Sequence, residues 1–179
     1  MKKTIYIFLF FSVSFYMKGQ SNAVTNVNRN IATQFSKPAV LAYQKQAEKT
    51  IIDFYNYLNL YSETTHDKDL TEEIDASIIN LFLNTNIPLK NILQSSDNVI
   101  TLKQFIVECH QNEKVFKFLA CKENKVSDSY FELLYEIEVS ENDSTTKHLI
   151  QQKVYFFPSE KHFGTTTKNV WQLKLGEML

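Results

Sequence analysis

The sequence predicts an α+β domain in which three N-terminal helices pack on a curved, cone-like antiparallel sheet of about four strands. Three observations predict it. Apolar residues recur at helical spacing between Lys37 and about His110, and beyond Asn112 the period switches to two. Turn-rich tetrads such as Glu141-Asn142-Asp143-Ser144 then separate the alternating runs.

The first helix is expected over about 38–62. Ser36 can cap it, and Pro38 is tolerated in a first turn. Ala47, Ile51, Phe54, Leu58 and Tyr61 recur at steps of four and three, so they share one face. After the polar connection Ser62–Asp67, a second helix is expected over about 70–83. Asp69 with Glu72 offers a capping-box-like start, and Ile74, Ile78, Leu81 and Phe82 form the stripe. Asn84-Thr85-Asn86 and Pro88 end it. The stretch from Leu89 to Ile100 has room for a short strand. Thr101 caps a third helix, with Leu102, Phe105, Ile106 and Cys109 at i, i+3, i+4 and i+7.

Val115–Cys121 reads as the first strand of the meander. Phe131, Leu133, Tyr135, Ile137 and Val139 alternate with Glu132, Leu134, Glu136 and Glu138, the pattern of a half-buried strand. Leu149–Phe157 follows, Pro158–Gly164 reads as a turn, and Val170–Leu175 with Trp171 closes the sheet.

This order resembles the nuclear transport factor 2-like (cystatin-like) superfamily over roughly residues 38–179. The resemblance is carried by the long first helix with Phe54-Tyr55-Asn56-Tyr57-Leu58 and by the strand pair FELLYEIEV and QQKVYFFP. The ending VWQLKLGEM is similar to the last strand of small exported Bacteroidetes proteins of that type. The resemblance implies helices seated in the hollow of a bent sheet. It leaves function open, because the superfamily holds isomerases, dehydratases and polyketide cyclases beside binding modules with no chemistry.

Residues 1–19 read as a signal peptide. Lys2 and Lys3 precede Ile5–Met17, an apolar run within the roughly 7–15 residues of such a segment and short of the roughly 20 that span a bilayer. Gly19 is the expected residue before the cut, and no cysteine near it offers a lipid anchor. Residues 20–36, rich in Asn, Ser and Thr, read as a flexible linker ahead of one domain over 37–179. The expected destination is the periplasm rather than the extracellular medium, with no stable membrane insertion once the signal is removed.

Composition excludes several function classes. The net charge is −1 and Arg29 is the lone arginine, so nucleic acid is not an expected partner. Past the signal only Gly164 and Gly176 remain, too few for a phosphate-cradling loop. No G-x-S-x-G elbow is present. No cofactor or metal is expected, because His66, His110, His148 and His162 show no ligand spacing and Cys109-His110 points to two helix faces. Cys109 and Cys121 are expected to stay unpaired: a strand running back from Asn112 carries Cys121 about 26 Å along it, at about 3.3 Å per residue.

The inward strand face offers a single polar tip, Tyr135, and no catalytic residue stands out; Asp53 and His148 are the remaining candidates for acid–base work. Phe54, Phe105, Phe131, Tyr135 and Trp171 would line any cavity, which could take an apolar small molecule. Tyr130 and Leu134, at the opposite parity, and either Tyr155 or Phe156 on the next strand are candidates for a contact with a protein partner or a second copy. The expected function is therefore that of an exported, non-enzymatic binding or accessory domain. The alternative is a small isomerase-, dehydratase- or cyclase-type enzyme, or a carrier with an apolar cavity.

Overall fold

A computed structural model describes residues 30–64, 67–94, 98–111, 114–141 and 144–179. The signal-like run, the leader as far as Arg29, and His66 lie outside the described residues.

Helix α1 (Ile31–Gln34) precedes α2 (Lys37–Thr64) and α3 (Lys68–Leu81); strands β1 (Pro88–Lys90) and β2 (Val99–Thr101) follow, then α4 (Leu102–Gln111). Strands β3 (Val115–Val126), β4 (Tyr130–Glu141), β5 (Ser144–Phe163) and β6 (Thr166–Met178) complete the chain. They form one six-stranded sheet in the order β2-β1-β6-β5-β4-β3. The architecture is α+β, as expected, with two corrections. The sheet has six strands and is mixed, because β1 runs parallel to β6 at Leu89–Met178. The described residues hold four helices, of which α4 lies between strands.

The folded part begins earlier than Lys37. Asn30 caps α1 by accepting from the Ala32 N–H at 2.9 Å, Ile31 is buried, and its N–H donates to the Asp128 carbonyl at 3.0 Å. A four-residue helix carries too little period to be visible in sequence. The caps of the longer helices follow local chemistry. Ser36 Oγ accepts from Ala39 N–H at 3.4 Å. Asp67, not Asp69, caps α3 through Leu70 N–H at 3.1 Å. Thr101 and Gln104 close a reciprocal capping box on α4, with Oγ1 accepting at 3.2 Å and Oε1 returning to the Thr101 N–H at 2.9 Å.

One core joins the layers. Ala47, Ile51, Phe54, Tyr55 and Leu58 of α2 meet Phe131, Leu133, Tyr135, Ile137 and Val139 of β4, all buried. Each of the larger aliphatic and Phe side chains contributes roughly 1.5–3 kcal/mol by leaving water. Two amide clamps fix α2 along β3. Asn59 exchanges hydrogen bonds with the backbone of Phe116 (2.7 and 2.8 Å), and Gln44 and Asn124 donate to each other's carbonyls (2.8 and 3.1 Å). The helix thereby satisfies part of the outer edge of β3, which would otherwise present open donors and acceptors.

The last hairpin corrects the expected turn over 158–164. Strand β5 runs unbroken through Pro158 to Phe163, and the chain reverses at Gly164, whose φ is +62°. Pro158 is compatible with a strand because Phe156 donates to Ser129 on the β4 side, so by alternation position 158 also faces away from β6. No ladder bond is lost there.

Candidate functional site

The buried face of the sheet holds a short polar chain. Tyr55 of α2 and Tyr135 of β4 bring their hydroxyls to 3.0 Å, Tyr135 donates to Gln152 Oε1 at 2.8 Å, and Gln152 Nε2 reaches the Gly176 carbonyl at 3.4 Å. The Met178 sulfur lies 3.6 Å from one hydroxyl and 3.8 Å from the other. All four side chains are buried. Burial pushes both tyrosine pKa values above the usual range, so both stay neutral. Among the described residues no buried side-chain nitrogen or oxygen lacks a partner.

The five residues expected around a cavity separate into two groups. Phe54, Phe105, Phe131 and Tyr135 are fully buried in the core, where Phe54 packs on Phe105 at 6.1 Å and Phe118 stacks on Tyr135 at 5.5 Å. Trp171 stands apart, half-buried, stacked on Phe156 at 4.6 Å and edge-on to Phe35 at 5.1 Å. Beside that cluster Phe35, Val40 and Leu41 line a shallow apolar depression of about 340 Å³.

Tyr130, Leu134 and Tyr155 share the opposite face, while Phe156 turns into the core. Tyr130 and Tyr155 are cross-strand partners with rings 5.7 Å apart, and Lys153 Nζ sits 5.2 Å over the Tyr130 ring. Tyr155 donates to Glu177 at 3.0 Å; partial burial, then the carboxylate, pushes its pKa up to about 12. Its ring lies so close over Gly176 that a Cβ there would stand 2.4 Å from a ring carbon. Leu134 is half-buried on the same face, and Leu149, one strand over beside Glu136, is 56% exposed. Around them charges alternate: Lys122 pairs with Glu136 at 3.0 Å and holds that carboxyl below its usual range.

The acid–base candidates lie on different elements, Asp53 on α2 and His148 on β5. Asp53 is half-buried on α2. His148 lines a polar cleft with Lys114, Glu141 and Thr146, where the Lys114 ammonium is held by the Leu93 carbonyl at 2.6 Å and Glu141 at 2.8 Å. His162 accompanies Thr167 at 2.9 Å near the end of the β5–β6 hairpin. Both cysteines are free thiols.

A cluster that spacing alone did not reveal joins three helices. Asp75 of α3 accepts from the Tyr61 hydroxyl of α2 and lies 3.1 Å from His110 Nε2 of α4, whose ring meets the Tyr61 ring edge-on at 4.5 Å. Burial, then the carboxylate, raises the Tyr61 pKa. These residues are distant in sequence, so only the packing of α2, α3 and α4 unites them. Among the described residues no group of three or more His, Cys, Asp or Glu is placed to hold a metal, and no helix is long and apolar enough to cross a membrane.

Among the described residues the geometry is that of an α+β fold with a buried apolar core and a patterned outer sheet face. No family model matches the chain, and neither a curated protein nor a solved structure is significantly similar to it.

Proposed function

We propose that this chain is an exported, non-enzymatic binding or accessory domain that acts through protein–protein contacts made by the outside of its sheet. The observation that carries the reading is the closed Tyr55–Tyr135–Gln152 chain. A catalytic acid or base must come within roughly 2.6–3.2 Å of its substrate's proton. Here the polar groups at the centre of the fold are buried and already spend their hydrogen bonds on one another. The outer face offers the contrary: Tyr130, Tyr155, Leu134 and Leu149 set among paired charges, the mixture of aromatic and apolar anchors with a polar surround that partners bind. Export is supported by Lys2, Lys3 and the run Ile5–Met17. The cone-like form of the nuclear transport factor 2-like superfamily belongs to the same proposal, with its members that carry no chemistry as the model.

The test is capture from an envelope extract followed by cross-link mapping, with Leu134→Lys/Leu149→Lys as the comparison. The reading expects a retained protein whose cross-links fall on the outer face and whose retention drops at least tenfold in the variant. Turnover of an apolar carbonyl substrate, abolished by Tyr135→Phe in a folded protein, would overturn it.

A further inference from the structure

The β5–β6 hairpin outgrows the rest of the sheet. Strand β4 ends beside Tyr155, and on the other side β6 is met by Phe82 and β1 only from Leu175 onward. Beyond the Phe156–Ser129 bond the two strands pair only with each other among the described residues, in unbroken register from Val154–Leu175 to Phe163–Thr166. They form an arm with two open edges, tipped by Phe163, which is 54% exposed.

Open edges are ordinarily blunted. Here three of four are. Strand β2 is three residues long. The β3 edge is covered by the Asn59 and Gln44 clamps of α2 and broken by two irregularities, at Phe118/Ala120 and Cys121/Glu123. The β5 edge of the arm carries Pro158, which has no N–H to offer. Among the described residues the β6 edge from Thr167 to Leu173 has neither a proline, a bulge nor a covering helix clamp.

Which backbone groups this edge presents follows from alternation. The Leu175 carbonyl accepts from Leu83, away from β5. Positions 173, 171, 169 and 167 therefore also turn their N–H and C=O outward. Trp171 faces Pro158 and Asn169 faces Glu160, pairs that make no bonds across the hairpin.

We infer that the β6 edge pairs with the same edge of a second copy, antiparallel about a two-fold axis at Val170, joining two sheets into one. Only registers that bring outward-facing positions together are open to it. Centring on Trp171 sets Lys168 against Lys174 of the other copy, a like-charge pair. Centring on Asn169 sets Lys168 against Val170 and leaves Trp171 beside Thr167. Centring on Val170 sets valine against valine, Lys168 against Gln172 and Lys174 against Thr166. It also places Asn169 beside Trp171, and Thr167 beside Leu173, on the face where both apolar side chains are half-buried. Residues 167, 169, 171 and 173 each gain a facing partner, with two backbone hydrogen bonds per facing pair. The self-complementary side-chain order selects a second copy over an unrelated extended peptide. Sheet-edge pairing of this kind goes beyond capture on the outer face, and the two fail separately.

Light scattering of the mature chain from about 1 to 200 µM tests the inference, with three variants. Asn169→Pro deletes an outward N–H while keeping the hairpin's own bonds, and is expected to weaken self-association at least tenfold. Glu160→Pro makes the matching change on the other edge of the same arm and is expected to leave the dimer intact. In a Cys121→Ser background, Val170→Cys is expected to form a disulfide-linked dimer on mild oxidation, because residue 170 faces itself in a closely spaced pair. A monomer throughout the range overturns the inference. So does a dimer indifferent to Asn169→Pro, or a monomer whose binding of another protein is what Asn169→Pro abolishes. Loss of the dimer alone leaves the Leu134/Leu149 capture result untouched.

Discussion

Tyr55 and Tyr135, eighty positions apart in sequence, place their hydroxyls 3.0 Å from each other at the buried junction of the long helix and the sheet. Tyr135 is the middle member of the chain, since its own proton goes to Gln152. Tyr135→Phe strands the acceptor of Gln152 and leaves Tyr55 with only a sulfur, whereas Tyr55→Phe removes a terminal donor. The expected losses in denaturant-measured stability are about 2–3 kcal/mol for Tyr135→Phe and about 1 kcal/mol for Tyr55→Phe. Equal losses would contradict the order of donation.

Stability is expected to fall in alkali. Burial raises the folded-state pKa of Tyr55 and Tyr135 above the unfolded value near 10, so the folded state holds protons that the unfolded state releases. Their contribution is complete below about pH 10 and is lost as pH rises past it, at up to about 1.4 kcal/mol per pH unit for each tyrosine. Urea titrations between pH 8 and 11 measure it. Tyr135→Phe should flatten the slope.

Gly176 is held to glycine by Tyr155. A Cβ at 176 would overlap the ring, with the Lys153 carbonyl at 3.3 Å behind it. Gly176→Ala is expected to cost about 1–3 kcal/mol. Most of that loss should vanish when Tyr155→Ser is present as well, a coupling that a double-mutant cycle reads directly.

Asp75 ties α3 to α2 and α4 through one oxygen. Asp75→Ala leaves the buried Tyr61 hydroxyl without its carboxylate partner and is expected to cost about 1–3 kcal/mol. Hydrogen exchange should accelerate in α3 and in the last turn of α4, with β4 and β5 unchanged.

Much of this architecture is legible in the sequence because period reports burial. The stripe Ala47–Tyr61 and the alternation Phe131–Val139 placed α2 and β4 on the correct faces, and Thr101 marked the start of α4. Other features depend on neighbours that no local pattern encodes. Strands β1 and β2 are three residues each and exist because Leu89 meets Met178 and Ile100 meets Leu89. Pro158 suggests a turn until its position on an unpaired edge is known. The site residues divide the same way. The face of Tyr130 is legible from the alternation of β4, whereas β5 leaves Tyr155 and Phe156 both open until its pairing with β4 is known; the Tyr61–Asp75–His110 cluster and the bond from Tyr55 to Tyr135 likewise require three-dimensional packing.

The most direct measurement concerns the two hydroxyl protons at the core. In proton NMR of the folded protein, the Tyr55 and Tyr135 hydroxyls should appear as resolved resonances with cross-peaks to each other and to the Met178 methyl, exchanging with water far more slowly than an exposed phenol. Rapid exchange of either proton, or saturation transfer to it from bulk water, would mean that solvent reaches the interior, and the account of a closed centre with its work done outside would be wrong.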